Sequence, residues 1–80
     1  REFKDIMNEA ESYVYKVENL LETRGAQLDK KEMKRIKSDC EYLKKLVTRT
    51  DMNHVDDVEM GRMKEAYRQL QESAEKLETM

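Results

Sequence analysis

The chain has 80 residues, 42% of them charged and 38% hydrophobic, with no Pro, a single Cys and a formal net charge of −2. One small domain of packed amphipathic helices fits this balance, which is too apolar and too periodic for a disordered segment. The near-neutral charge excludes a strong field of either sign, so no nucleic-acid or membrane partner is expected. No apolar run approaches the ~18 residues of a membrane span, and a lone cysteine that forms no intrachain disulfide points to a reducing, intracellular compartment.

The first predicted element is a helix over about 2–24. Its apolar residues are Phe3, Ile6, Met7, Ala10, Tyr13, Val14, Val17, Leu20 and Leu21. They recur in steps of three and one, the spacing of a single apolar stripe on an α-helix. Glu2, Lys4, Asp5, Asn8, Glu9, Glu11, Lys16, Glu18 and Asn19 form the wettable opposite face. Such a helix is marginal alone, so later segments must cover the stripe. Gly25 is expected to close it in the left-handed conformation, with Arg24 favourable at the negative end of the helix dipole.

A second helix is predicted over about 30–48. Asp29 and Glu32 form an Asp-x-x-Glu capping box, and Leu28 with Met33 a hydrophobic staple. Met33, Ile36, Cys40, Leu43, Leu46 and Val47 make its stripe. Thr48–Asp57 breaks the period and reads as a loop. The start device then repeats: Asp56 with Glu59, and Val55 with Met60. The third helix, about 57–78, carries Met60, Met63, Ala66, Tyr67, Leu70, Ser73, Ala74 and Leu77 along one face. Gly61 costs its helix roughly 1 kcal/mol relative to Ala and is expected to mark a close approach to another helix.

Three amphipathic helices with short connections predict an all-α fold, a small antiparallel up-down-up bundle whose first helix is long and continues from an upstream lever helix. The predicted core is Ile6, Ala10, Tyr13, Val17, Leu20, Met33, Ile36, Cys40, Leu43, Val47, Met63, Tyr67, Leu70, Ala74 and Leu77. The chain begins mid-pattern at Arg1, which suggests a fragment of a larger protein. Cut from that context, the Phe3–Met7 end is expected to be exposed and to favour an artificial dimer of an otherwise monomeric bundle.

No catalytic, cofactor-binding or metal site is expected. Cys40 lies on an apolar face and reads as a small buried hydrophobe; His54, the only histidine, is the sole candidate base or co-ligand, and zinc sites want three or four ligands at recognisable spacing. The stretch Asp51-Met52-Asn53-His54-Val55-Asp56-Asp57 fails as a calcium loop: Val55, Asp56 and Arg62 hold the positions that need a ligand, a glycine and the closing glutamate. The basic run Lys30–Lys37 lacks interleaved aromatics and reads as a solvated helix face. Most of the six methionines fit gap-filling in a small core.

Asn8-Glu9-Ala10-Glu11-Ser12-Tyr13-Val14-Tyr15 resembles the long lid helix of the 70-kDa heat-shock (DnaK-type) chaperones. Gln27-Leu28, the acidic cap, the Glu41–Leu46 region, and Leu70-Gln71-Glu72-Ser73-Ala74-Glu75-Lys76-Leu77 are similar to the bacterial and mitochondrial branch, in the same order. The chain departs from that branch in having no Pro at the second helix start and in its acidic, Met-bearing loop. The resemblance implies the C-terminal helical lid of an ATP-dependent chaperone that binds unfolded polypeptide. It implies a parent ATPase domain using ATP and Mg, with no cofactor in these 80 residues. The implied partners are the rest of the parent, unfolded clients and co-chaperones, and the implied compartment is the mitochondrial matrix or the cytoplasm. The rival expectation is a helical-bundle or coiled-coil interaction module of a scaffold or cytoskeletal protein.

Overall fold

A computed structural model describes residues 2–50 and 56–79. His54, Met52, Met80, the proposed Val55 staple and most of the rejected calcium loop lie outside the described residues. The apolar stripes form three helices: α1 (Glu2–Arg24), α2 (Lys30–Arg49) and α3 (Asp57–Glu78). A short 3-10 turn, Gly25–Gln27, links α1 to α2.

The contacts between helices give their directions. Met7 near the start of α1 shares a groove with Val47 near the end of α2, and Leu21 near the end of α1 shares one with Met33 near the start of α2, so α1 and α2 are antiparallel. Lys76 Nζ near the end of α3 is 3.1 Å from Glu32 near the start of α2, so α2 and α3 are antiparallel too. Arg24, the last residue of α1, reaches the carbonyls of Leu77 and Glu78 at the end of α3, so α1 and α3 run parallel. The result is the up-down-up three-helix bundle, 41 Å long and 18 × 17 Å across.

The core is apolar except for the Tyr13 hydroxyl. Phe3, Ala10, Tyr13, Val14 and Val17 of α1 meet Ile36, Cys40 and Leu43 of α2 and Met63, Ala66, Leu70, Ala74 and Leu77 of α3, and among the described residues no charged residue is buried with them. Ile6, Leu20, Met33, Val47 and Tyr67, expected in the core, are only partly buried and pack against its margin. The reason is stripe width: the bundle encloses an arc of only roughly 100° of each helix, and flanking stripe residues line the seams. Phe3, Val14 and Ala66 take the enclosed places. Phe3 is 6% exposed, so the end of α1 that was expected to be bare is folded into the bundle.

The local expectations at glycines and caps are corrected in three places. Gly25 does not take the left-handed conformation, since no described glycine has a positive φ. It begins the 3-10 turn, and Leu28 N–H donates to its carbonyl at 3.0 Å. Gly25 is also the site of the close approach expected at Gly61. A Cβ at Gly25 would lie 2.9 Å from the Met33 terminal methyl, whereas one at Gly61 would meet nothing within 4 Å. Finally, the two capping boxes differ. Asp56 Oδ1 accepts from Glu59 N at 2.8 Å, but Asp29 makes no side-chain cap bond. Glu32 turns instead to Lys76.

Candidate functional site

The end of the bundle where α1 and α3 finish is the most elaborated polar region. Arg24 Nη1 donates to Leu77 O at 3.2 Å and Glu78 O at 3.4 Å, satisfying carbonyls that the end of α3 leaves without helical donors. Lys16 Nζ pairs with Glu78 at 2.9 Å. α1 therefore supplies a guanidinium and an ammonium that clasp the last turn of α3. The sequence marked Arg24 only as a favourable charge for its own helix; its long-range role needs the parallel placement of α1 and α3.

Below the clasp, the rings of Tyr13 and Tyr67 stack with centroids 5.1 Å apart and planes 19° from parallel. Lys16 Nζ lies 6.0 Å from the Tyr13 ring centroid. The Tyr13 hydroxyl is buried and has no hydrogen-bond partner among the described residues. Burial, and next the Glu78 carboxylate, raise its pKa far above the ordinary phenol value. It is a neutral phenol at any physiological pH and unsuited to act as a base.

Cys40 is equally inert. Its thiol sits 3.9 Å from the carbonyl of Val14, and burial, reinforced by Glu18 and Glu41, pushes its pKa up to about 11. A reactive cysteine needs the opposite shift. Among the described residues, no group of three or more His, Cys, Asp or Glu side chains could hold a metal ion, and no helix is long and apolar enough to cross a membrane.

The remaining features are seams and faces. The α1–α2 seam holds an open groove of about 210 Å³ lined by Met7, Val14, Tyr15 and Val47. On the α2–α3 seam Ser73 bonds Asp39, which explains a serine on the apolar stripe of α3: its hydroxyl has an acceptor across the seam. On α3, Arg68 bridges Glu65 and Glu72, and its guanidinium holds the Glu65 carboxyl below the usual range.

The outer face of α2 differs from all of these. The helix carries eight Lys or Arg against three acidic residues, whereas α1 carries three against six and α3 four against six. Lys31, Lys34, Arg35, Lys45 and Arg49 are exposed and form no ion pair with a described residue. Tyr42, 52% exposed, lies among them. The basic run Lys30–Lys37 lies on a solvated face as expected, and Tyr42, beyond the end of that run in sequence, joins the same face once α2 is formed.

No protein-family model matches the chain, and no solved structure matches it.

Proposed function

We propose that this chain is the C-terminal helical lid bundle of an ATP-dependent molecular chaperone, a non-catalytic part that helps close and stiffen the lid over a bound unfolded polypeptide. The observation that carries this reading is a narrow rod with a largely apolar interior, its first and last helices tied together by Arg24 and Lys16. The likeness of Asn8–Tyr15 and Leu70–Leu77 to lid helices adds the family.

A lid acts on escape. At fixed association rate, each ~1.4 kcal/mol added to the free energy of opening lengthens residence about tenfold. A bundle that bends or frays opens more easily, so core packing and the end clasp convert into slower release. The nucleotide belongs to the parent. The chain has two glycines and no Gly-rich loop, and Gly25 is packed under Met33, so its glycines offer no phosphate cradle. On this reading the parent works in the mitochondrial matrix or cytoplasm, with unfolded clients and co-chaperones as partners.

The test compares the full-length parent with a version lacking this bundle. Release of a fluorescent apolar peptide, followed by anisotropy, is expected to accelerate several-fold, with ATP hydrolysis in the absence of client nearly unchanged. Unchanged release, or a large loss of basal hydrolysis, contradicts the reading. A second reading, an interaction module of a scaffold protein, draws support from the unpaired basic face of α2; heptads in the residues upstream of Arg1 would favour it, and a β-sandwich there would exclude it.

A further inference from the structure

The outer face of α2 carries a ladder of exposed residues at helical spacing: Lys31, Arg35, Ser38, Tyr42, Lys45 and Arg49. Steps of three and four put them in one row along a helix about 30 Å long. None of the four cations in the row has an ion pair with a described residue. The acids of α2 do not neutralise it. Glu32 and Asp39 are half-buried and engaged by Lys76 and Ser73, which leaves Glu41 as the exposed acid of the helix. Elsewhere ion pairs tie the bundle: Lys16 with Glu78, Lys44 with Glu18, Arg68 with Glu65 and Glu72. The row on α2 instead gathers four cations without such a partner along one face, whereas unpaired cations on the other helices, such as Lys4 and Arg62, stand apart.

We propose that this row is a docking surface for an acidic α-helix of a partner protein. Width selects the occupant. The bundle is 18 × 17 Å across, and the helices flanking α2 are both net acidic. A broad polyanion such as duplex nucleic acid or an anionic bilayer would also face those flanks and meet like charge. A single helix, about 10–12 Å in diameter, covers the α2 ridge alone. Glutamates three and four residues apart on such a helix match the spacing of the cations. Tyr42 supplies a rigid amphipathic anchor in the middle of the row, the residue type enriched with Arg at binding hot spots. The proposal does not depend on the lid reading.

The test uses the 80-residue chain and a fluorescein-labelled helical peptide bearing glutamates at alternate steps of three and four. Binding is followed by anisotropy beside two rival probes, a labelled oligothymidylate and phosphatidylserine vesicles. The peptide is expected to bind in low salt and to weaken as salt rises. Lys31→Glu with Lys45→Glu should weaken it by roughly tenfold or more, and Tyr42→Ala by roughly fivefold, a loss that bare charge attraction does not produce. Lys4→Glu with Arg62→Glu, on other helices, should leave it unchanged. Circular dichroism checks that each variant is helical, and Lys31→Gln with Lys45→Gln repeats the test without charge reversal. The proposal is overturned by no peptide binding, by binding indifferent to both α2 double variants, by no effect of Tyr42→Ala, or by tighter binding of the oligonucleotide or vesicles through the same residues.

Discussion

The starts of α2 and α3 carry the same four-residue signature and use it differently. At α3, Asp56 accepts from Glu59 N and caps the helix through its own side chain. At α2, Asp29 leaves the corresponding amide alone, and the start is held from outside: Met33 packs over buried Gly25, Leu28 lies against the core, and Glu32 pairs with Lys76 of α3. A side-chain cap and tertiary bracing are alternative ways to fix the first turn. Where neighbouring helices grip the turn, the local device is idle.

Loosening the brace itself should have the largest effect. Leu77 is fully buried in the last turns of α3, at the end of the bundle where α2 begins. Leu77→Ala is expected to cost about 2–5 kcal/mol in urea unfolding. In that background Asp29→Ala should become more costly than in the native chain, a non-additivity that a double-mutant cycle measures.

High pH should act next, through the core that both starts share. Burial raises the Cys40 thiol from 9.0 to about 11 in the folded chain and raises Tyr13 as well. A raised folded pKa means the unfolded chain gives up its proton first. The Cys40 contribution is therefore fully present below about pH 9 and lost as pH rises through about 11. Helicity monitored against urea at increasing pH is expected to show this decline, and Cys40→Ala should remove part of its pH dependence.

The caps themselves come third. Asp56→Ala should cost ~1 kcal/mol, and Asp29→Ala only a few tenths, because only the first removes a formed bond. Equal costs would erase the distinction between the two starts. The glycines give the smallest effects. Gly61 sits in an exposed part of α3 with open space around it, so Gly61→Ala should stabilise by ~0.5–1 kcal/mol. Gly25→Ala should come out near zero: the gain in backbone restriction is offset by the shift forced on the Met33 methyl.

The same contrast explains how much the sequence revealed. Helical period fixed the three elements, their order and the bundle, and placed Val17, Ile36, Cys40, Leu43, Met63, Leu70 and Ala74 in the core. Period does not say which stripe residues fall at the centre of the arc, so Phe3 and Val14 were undervalued while Ile6, Leu20, Met33, Val47 and Tyr67 went to the seams. Signatures within four residues were read as formed whether or not tertiary contacts superseded them, hence Asp29 and Gly25. Contacts across more than 50 positions, such as Arg24 with Leu77, have no local trace. The α2 surface is half legible: its charge shows in the sequence, but the lack of ion pairs along the Lys31–Arg49 row among the described residues and the exposure of Tyr42 emerge only when the neighbouring helices are in place.

Native-state amide hydrogen exchange at Val17, Ile36 and Leu70 tests the central claim most directly, since one residue comes from each helix and all three are fully buried. If the three helices share one core, the amides should exchange with a common free energy equal to that of global unfolding. Exchange of any one of them at the rate of an isolated, fraying helix would contradict the account.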